Sequence, residues 1–263
     1  MLIFSISDFH GELKILSKLK EKIKEIKPDV IVFTGDVVKG YARGNEFLNA
    51  KEKGIKPRKN LPEIKEEAKE DFYLYKKFYQ TLNEIKIPVM AINGNMDAPE
   101  SRMFDVILNE NLEFINLVQE NPYSLGKFIF AGIGGEITEN EREDFFLLKY
   151  TKKEIEFSLL RLKKIKDKEK ILLFHSPPLG KIVDLDDGKH KGSKIVNELI
   201  QEIKPKMVFC GHAHHAQGKE IISKTLVINP GALKYGNYAL VDTERMEVKF
   251  RNIEGEKYEK FKT

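Results

Sequence analysis

Seven side chains that can bind metal ions follow short apolar runs of the sequence, each where a predicted strand gives way to a loop. Four of the chain's six histidines belong to this set. A single histidine is more often a core or solvated residue, but oxygen and imidazole groups that recur at strand ends favour a shared site. The set consists of Asp8, His10, Asp36, Asn95, His175, His212 and His214. These residue types predict a centre for divalent transition metals.

The spacing within this set indicates that two ions share the site. Asp8 and His10 are two residues apart just past a strand, where period-two geometry can aim both side chains at one ion. His212 and His214 repeat this spacing after Gly211, whose backbone freedom lets the two rings turn toward different ions. The two pairs therefore predict ligands for more than one metal.

The charge of the set suits hydrolysis of a phosphate ester. The Asp36 carboxylate has two oxygens and could bridge two cations. Two dications offset by Asp8, Asp36 and a bound hydroxide leave an excess of about one positive charge, which would attract an anionic phosphate. Two metals ~3.5 to 4 Å apart can lower the pKa of a shared water and stabilise in-line attack at phosphorus. The predicted reaction is therefore attack of a metal-bridging hydroxide on phosphorus.

An alternation of strands and helices would position these residues. Apolar runs at residues 2–7, 30–33, 89–92, 128–131, 171–174, 207–209, 221–228, 238–241 and 248–250 predict strands, and residues 13–26, 64–85, 145–165 and 195–203 carry helical periodicity. This order predicts an α/β fold in which two sheets pack face to face with helices outside, and five strand ends converge on one edge. We predict a single domain over residues 1–263.

A polar excursion leaves the predicted site directly after Asp36. Residues 37–61 are rich in Gly, Lys and Asn. Such excursions often serve as lids or specificity loops, and a disordered linker is the competing interpretation. We predict an excursion or lid here.

Composition limits the classes of function. Without a long apolar run or a visible signal peptide, we expect a soluble, cytoplasmic protein with no membrane partner. The single cysteine, Cys210, follows an apolar run and reads as a buried thiol. Lysines and glutamates dominate the 33% of charged residues and there is no Trp, which resembles proteins from hot environments. The net charge of +4 comes from interleaved charges, so nucleic acid is disfavoured as a partner.

The ordered runs Asp8-Phe9-His10, Gly35-Asp36, Gly94-Asn95, His175 and Gly211-His212-Ala213-His214 resemble the calcineurin-like metallophosphoesterase superfamily. The resemblance implies a four-layer α/β/β/α sandwich of two mixed sheets flanked by helices. It also implies that Asp8, His10, Asp36 and His214 hold one metal. Asp36, Asn95, His175 and His212 would hold the second metal, the bridging hydroxide and the phosphate. Manganese is the first expectation, with Fe, Zn, Ni or Co as alternatives.

The chain departs from this family directly after Asn95. Many members carry a histidine there, whereas this chain has Met96, whose thioether cannot donate a proton. His190 and His215 are the natural substitutes as substrate contacts or proton donors. His190 lies in a polar loop, residues 187–193, which opens a predicted helix whose amides could take a phosphate; an ordinary N-cap by Ser193 is the alternative.

Further motifs suggest a subfamily. The loop around His190, Ser176-Pro177-Pro178 and Asn229-Pro230-Gly231 are similar to the small prokaryotic phosphoesterases related to the Icc cyclic-nucleotide phosphodiesterases. Asn229-Pro230-Gly231 is otherwise a tight turn between strands.

Three functional hypotheses remain open from the sequence. The first is a metal-dependent phosphoesterase that hydrolyses a small phosphodiester or phosphomonoester, nucleotide-like in character. The second is a nuclease acting on DNA or RNA, suggested by the basic pI and the lysines of residues 39–59. The third is a metal-binding interaction scaffold without turnover, suggested by Met96. The physiological substrate and a homo-oligomeric state are left open.

Overall fold

Two six-stranded mixed sheets form the centre of the molecule in the computed structural model, which describes residues 1–119 and 121–255. The first sheet contains β1 (Leu2–Ile6), β2 (Val30–Phe33), β3 (Val89–Ala91), β4 (Ile115–Leu117), β16 (Asn237–Asp242) and β17 (Glu247–Asn252). The second contains β5 (Tyr123–Leu125), β6 (Phe128–Ile133), β10 (Glu169–Phe174), β13 (Met207–Phe209), β14 (Gly218–Ile222) and β15 (Thr225–Asn229).

Smaller elements and helices surround these sheets. A three-stranded sheet is formed by β7 (Glu136–Thr138), β8 (Glu143–Asp144) and β9 (Leu148–Thr151), and a hairpin by β11 (Leu185–Asp186) and β12 (Lys189–His190). The α-helices are α1 (Leu16–Ile26), α2 (Tyr41–Glu52), α3 (Pro62–Asn83), α4 (Ser101–Asn109), α5 (Lys152–Leu159) and α6 (Lys194–Ile203). Short 3-10 helices span Leu13–Ile15, Leu160–Lys164 and Leu233–Tyr235.

The central strands of both sheets are parallel. In the first sheet β1, β2, β3 and β4 run in one direction, with β16 and β17 added antiparallel at the β1 side. In the second, β6, β10, β13 and β15 are parallel, with β5 and β14 antiparallel at the edges. The carboxyl ends of parallel strands lie at one edge of a sheet, which is where α/β proteins place ligands.

Side-chain alternation along the strands divides the core into three apolar clusters. In β1, Phe4 and Ile6 pack toward α1 and α3, whereas Ile3 packs between the sheets. Val32 and Phe33 of β2 divide in the same way. A third cluster lies between the second sheet and helices α5 and α6. The molecule is therefore a four-layer α/β/β/α sandwich, and the predicted fold class is confirmed.

Two predicted elements differ from the structure. The periodicity of residues 145–165 predicts one helix, but these residues form β9, α5 and a 3-10 helix. Thr151 ends the strand and begins α5 through a capping box with Glu154, so the helix starts seven residues later than predicted. Residues 221–228 are predicted as one strand, but Ser223 and Lys224 adopt positive φ angles and separate β14 from β15.

The excursion after Asp36 contains helix α2, which forms 12 of its residues. The predicted domain extends to residue 263, and residues 256–263 lie outside the described residues. Within residues 1–119 and 121–255, every helix falls short of the length or the apolarity needed to cross a membrane.

Candidate metal centre

The seven predicted ligands lie on five loops at the carboxyl ends of strands from both sheets. Asp8, His10, Asp36 and His212 have positive φ angles of 57°, 46°, 65° and 67°. Such backbone conformations cost of order 1–3 kcal/mol each and persist where surrounding structure imposes them. The Asp8 amide donates to Gly35 at 2.9 Å, and the His10 amide donates to Asp36 at 3.0 Å. The first two loops are thus bonded together with their side chains facing one region.

Four of these residues form one cluster of ligand atoms. The ligand atoms of Asp8, His10, Asp36 and His214 all lie within 4.8 Å of one another. Nε2 of His10 is 3.0 Å from Nε2 of His214 and 3.5 Å from Oδ2 of Asp36. Nε2 of His214 is 3.3 Å from Oδ1 of Asp8. The arrangement brings together the set that the family resemblance assigns to one metal.

A second cluster adjoins the first through Asp36. Nε2 of His175 is 2.8 Å from Oδ1 of Asn95 and 3.4 Å from Oδ2 of Asp36. Nδ1 of His212 is 3.0 Å from the same Asn95 oxygen. Asp36 therefore belongs to both clusters, the position that a bridging carboxylate requires.

The chemistry of these groups fits two divalent cations. Nδ1 of His10 donates to the Val38 carbonyl at 3.0 Å, and Nδ1 of His175 donates to the Thr34 carbonyl at 2.8 Å. When both rings are neutral, this assignment of the protons leaves each Nε2 with a lone pair directed at carboxylate or amide oxygens. Acceptor atoms that converge in this way without donors are stabilised by a cation.

Burial and charge set the protonation of the site. Burial disfavours ionisation of Asp8, but the hydrogen bond to His214 and the nearby histidines outweigh it and hold its pKa well below the usual range. Burial also opposes ionisation of Asp36, yet the charge of His175 keeps its pKa lowered. Burial lowers the pKa of His10 and of His212, which favours the neutral imidazoles that metal binding needs.

His175 behaves differently in the metal-free protein. Burial lowers its pKa, but the negative charge of Asp36 outweighs burial and raises it to about 10. Because the folded-state pKa exceeds the usual 6.5, this group stabilises the fold fully below about pH 6.5, and that stability is lost as pH rises through about 10. We expect the chelated protein to lose stability between pH 7 and 10, measured by urea unfolding. The His175→Gln variant should show a flatter profile, and an unchanged profile would contradict this assignment.

Asp97 joins the loops that carry Asp36 and Asn95, and no sequence pattern assigns it a role. Its carboxylate accepts the backbone amides of Asp36, Val37, Val38 and Gly94 and the hydroxyl of Tyr75. Burial and the charge of Asp36 raise its pKa to about 6. Its position two residues after Asn95 is the available signal, but its partners lie far away in sequence.

A buried arginine fixes helix α2 against the same region. Arg43 is fully buried, and its Nη2 donates to the Met96 carbonyl at 2.9 Å. Its Nη1 contacts Asp71, and Glu67 at 3.0 Å. The excursion is thus bonded to the loop that carries Asn95, and a role as a lid stays a prediction.

The other predicted substrate contacts lie outside the two clusters. Nδ1 of His190 is 3.0 Å from the buried Asp184, and its side chain is exposed. His215 pairs with Asp186 at 2.8 Å and stacks on Tyr235 with ring centroids 5.2 Å apart. Neither histidine lines the cavity at the clusters, and their roles stay predictions.

Two further predicted motifs lie near the loop of residues 211–215, the histidine loop. Ser193 is the N-cap of α6 but makes no side-chain capping bond, so the alternative of an ordinary side-chain cap is not seen. The Asn229 amide donates to the carbonyls of Val183, Gly211 and Ala213, which gives the Asn229-Pro230-Gly231 turn a supporting contact with the histidine loop. Of the two motifs, the Asn229 turn therefore supports backbone next to the clusters.

Lys234 is a further site residue that the sequence analysis missed. Its Nζ is 3.0 Å from Nδ1 of His214, on the ring edge opposite the cluster. Lys234 lies in a short 3-10 helix twenty residues after His214. No pattern in the sequence indicates a role for Lys234, because its contact with His214 depends on the path of the chain after β15.

The four-layer fold and the paired clusters at its strand ends define a class of two-sheet proteins built around a dinuclear metal site. Within that class, the chain belongs to the calcineurin superfamily of metallophosphoesterases, whose sequence model matches residues 1–253. This superfamily consists of dimetal phosphoesterases, so the predicted family is confirmed.

Relatives extend over nearly the whole chain. The uncharacterized protein MJ1162 of Methanocaldococcus jannaschii is 27% identical over an alignment of 268 positions. The alignment covers 97% of this chain and 98% of the relative. TT1561 of Thermus thermophilus has a TM-score of 0.74 at 25% identity and covers 96% of this chain and 98% of its own. A dimetal phosphatase from Danio rerio shares the fold, with a TM-score of 0.60 at 11% identity over 91% of each chain.

Proposed function

We propose that this protein is a dinuclear metal-dependent phosphoesterase that hydrolyses a small phosphodiester or phosphomonoester. The observation that carries the proposal is the position of Asp36 in both ligand clusters. In this proposal Asp8, His10, Asp36 and His214 hold one ion, and Asp36, Asn95, His175 and His212 hold the other. Two bound divalent cations would supply a hydroxide at neutral pH and a positive charge facing the phosphoryl oxygens.

The residues of the chain orient this site. The carbonyls of Val38 and Thr34 fix the ring orientations of His10 and His175. Asp97 holds the backbone on which Asp36 is carried, at 2.8 Å from its amide. Positioning of this kind contributes to rate because reacting groups need not reorganise during the reaction.

The cavity beside the clusters favours a small substrate over a polymer. Its volume is about 340 Å³, which suits a nucleotide-sized ester. Tyr41 lines the cavity and is 63% exposed, so its ring is free to stack on a nucleobase. These two features support a nucleotide-like substrate. Manganese is the first ion that we propose, and a cytoplasmic location and a hot-environment origin stay predictions from composition.

The test is metal-dependent hydrolysis of bis(p-nitrophenyl) phosphate compared with p-nitrophenyl phosphate. The chelated protein is expected to be inactive and to recover on addition of Mn²⁺, Fe²⁺, Zn²⁺, Ni²⁺ or Co²⁺ to the extent that each ion suits the oxygen and imidazole ligands. Faster cleavage of the diester would support a phosphodiesterase, and faster cleavage of the monoester a phosphatase. Full turnover by chelated protein, or two bound ions without any turnover, would contradict the proposal, and the latter would favour a scaffold.

A further inference from the structure

The cavity beside the metal centre is lined by more positive charge than a single phosphate ester needs. Three lysines from separate segments reach it: Lys39 before α2, Lys191 after β12, and Lys234 in the last 3-10 helix. Asp186 also lines the cavity, but it accepts the amides of His214 and His215. The cavity therefore presents cations on several sides of the ligand clusters.

The partners of these lysines leave their charge available. Within residues 1–119 and 121–255, the Lys191 ammonium makes no hydrogen bond or ion pair. Lys39 is 3.7 Å from Glu70, and both side chains of this pair are exposed, so the pair is weak. Lys234 contacts Nδ1 of His214 rather than a carboxylate. All three cations can therefore be drawn to an anionic ligand.

The positive charge of the metal-loaded site exceeds the negative charge of a simple diester. Two dications offset by Asp8, Asp36 and a hydroxide leave about one positive charge, which a phosphodiester with its one negative charge already neutralises. The three lysines, reduced by Asp186, add about two positive charges. The loaded site then carries about three positive charges, of which a simple diester neutralises one and a substrate with one further phosphate next to the scissile one neutralises two.

Met96 gives a second, independent indication. It lines the cavity beside Asn95, and its thioether sulfur is 3.5 Å from the Asn95 amide nitrogen. A Cβ on Gly40 would lie 2.8 Å from the Met96 methyl carbon, so the side chain fills this space. A thioether cannot donate a proton to a departing oxygen. An alcohol, with a pKa near the ~15.7 of water, needs that proton, whereas a phosphate monoester, with a second pKa of about 6, leaves without it.

Resting on the proposed function, we propose that the substrate is a phosphoanhydride in which two phosphates are joined by a bridging oxygen and the lysines hold the phosphate that departs. Hydrolysis forms one bond from phosphorus to a water-derived oxygen and breaks the bond from phosphorus to the bridging oxygen. The electron pair of the broken bond stays on the departing phosphate. The attacking hydroxide keeps its proton on the new phosphomonoester, so the two products together carry all the charge of the reactants.

The test compares a diphosphate-linked substrate with a diester that has the same nucleosides. Diadenosine diphosphate and adenylyl-(3′→5′)-adenosine are offered to metal-loaded wild-type protein, Lys191→Met and Lys189→Met. Lys189 is an exposed lysine of the same hairpin that does not line the cavity, so it is the matched control. We expect the diphosphate to be preferred, and Lys191→Met to lower kcat/KM for it by about tenfold with little change for the diester. Lys189→Met should match the wild type.

A binding measurement separates the lysines from the chemistry. The methylene-bridged analogue of diadenosine diphosphate, which cannot be cleaved at the bridge, is titrated into metal-loaded protein by calorimetry. Its affinity should fall by about tenfold in Lys191→Met and stay unchanged in Lys189→Met. An equal loss of affinity in Lys191→Met and Lys189→Met would overturn the inference. So would a wild-type kcat/KM for the diester that equals or exceeds the kcat/KM for the diphosphate. Absence of turnover on bis(p-nitrophenyl) phosphate would instead contradict the proposed function, while the binding result would still report on the lysines.

The missing proton donor has its own test. A Met96→His variant is expected to raise turnover of the dinucleoside monophosphate, whose leaving group is an alcohol, relative to turnover of the diphosphate. An unchanged or lower ratio of the two turnover rates would overturn the argument from the leaving group.

Discussion

The Asp36→Asn variant is expected to lose at least one of the two metal ions and to lower kcat/KM by about 10³-fold, equivalent to ~4 kcal/mol of transition-state stabilisation. An amide has one oxygen instead of two equivalent charged ones, so it cannot bridge two cations as a carboxylate can. Its size is unchanged, and the remaining oxygen can still accept the Met96 amide, now at 2.8 Å from Asp36. The fold should therefore survive.

Two measurements check this expectation. Metal content per chain by mass spectrometry should fall below two, and hydrolysis of bis(p-nitrophenyl) phosphate should fall with it. Asp167→Asn is the control, because Asp167 is an exposed loop residue outside the clusters. A variant at position 36 that keeps two ions and full activity would refute the bridging role.

The second large effect is expected at Asp97, on the stability of the fold. In Asp97→Asn an amide NH₂ replaces one of two oxygens that together accept four backbone amides and the Tyr75 hydroxyl. Buried donors without partners cost about 1–3 kcal/mol each, so the free energy of unfolding should fall by ~3 kcal/mol or more. For a chain of this size that loss corresponds to a decrease in Tm of roughly 6–12 °C.

The pH dependence gives a distinct signature of the same residue. The folded-state pKa of Asp97 is raised from the usual 3.8 to about 6, so this group makes the wild type less stable as pH rises through that interval. That component should be absent in Asp97→Asn. The control is Asp242→Asn, a half-buried aspartate that accepts two backbone amides at a turn. It should cost only ~1 kcal/mol. Equal losses in the two variants would show that Asp97 is an ordinary turn residue.

The ligand positions were predictable because each follows a short apolar strand, and parallel strands deliver their last residues to one edge. Asp97 and Arg43 were not, because their roles depend on partners brought close by folding. Asp97 bonds to Val37, sixty residues earlier, and Arg43 to Met96, fifty-three residues later. A local pattern contains no information about such pairs.

The mistaken helix at residues 145–165 has a related cause. Leu148 and Tyr150 are buried on one face of β9, but their spacing of two is short and merges with the helical pattern that follows. The Thr151 and Glu154 capping box marked the true start of α5. A cap outweighed periodicity here, since it satisfies the amides of Thr151 and Glu154, which a helix that begins at Lys152 leaves without intrahelical partners.

The clusters lie on the seam between the two sheets. In the proposed ligand sets each ion takes donors from both sides: Asp8, His10, Asp36 and Asn95 follow strands of the first sheet, whereas His175, His212 and His214 follow strands of the second. Bound ions would then link the two sheets, in addition to the apolar layer around residues such as Ile3 and Ile171 and direct hydrogen bonds such as that from His175 to Thr34. By mass action, metal binding and association of the two sheets stabilise each other. A substitution that weakens packing in the inner apolar layer should therefore lower metal affinity, even though no ligand is changed.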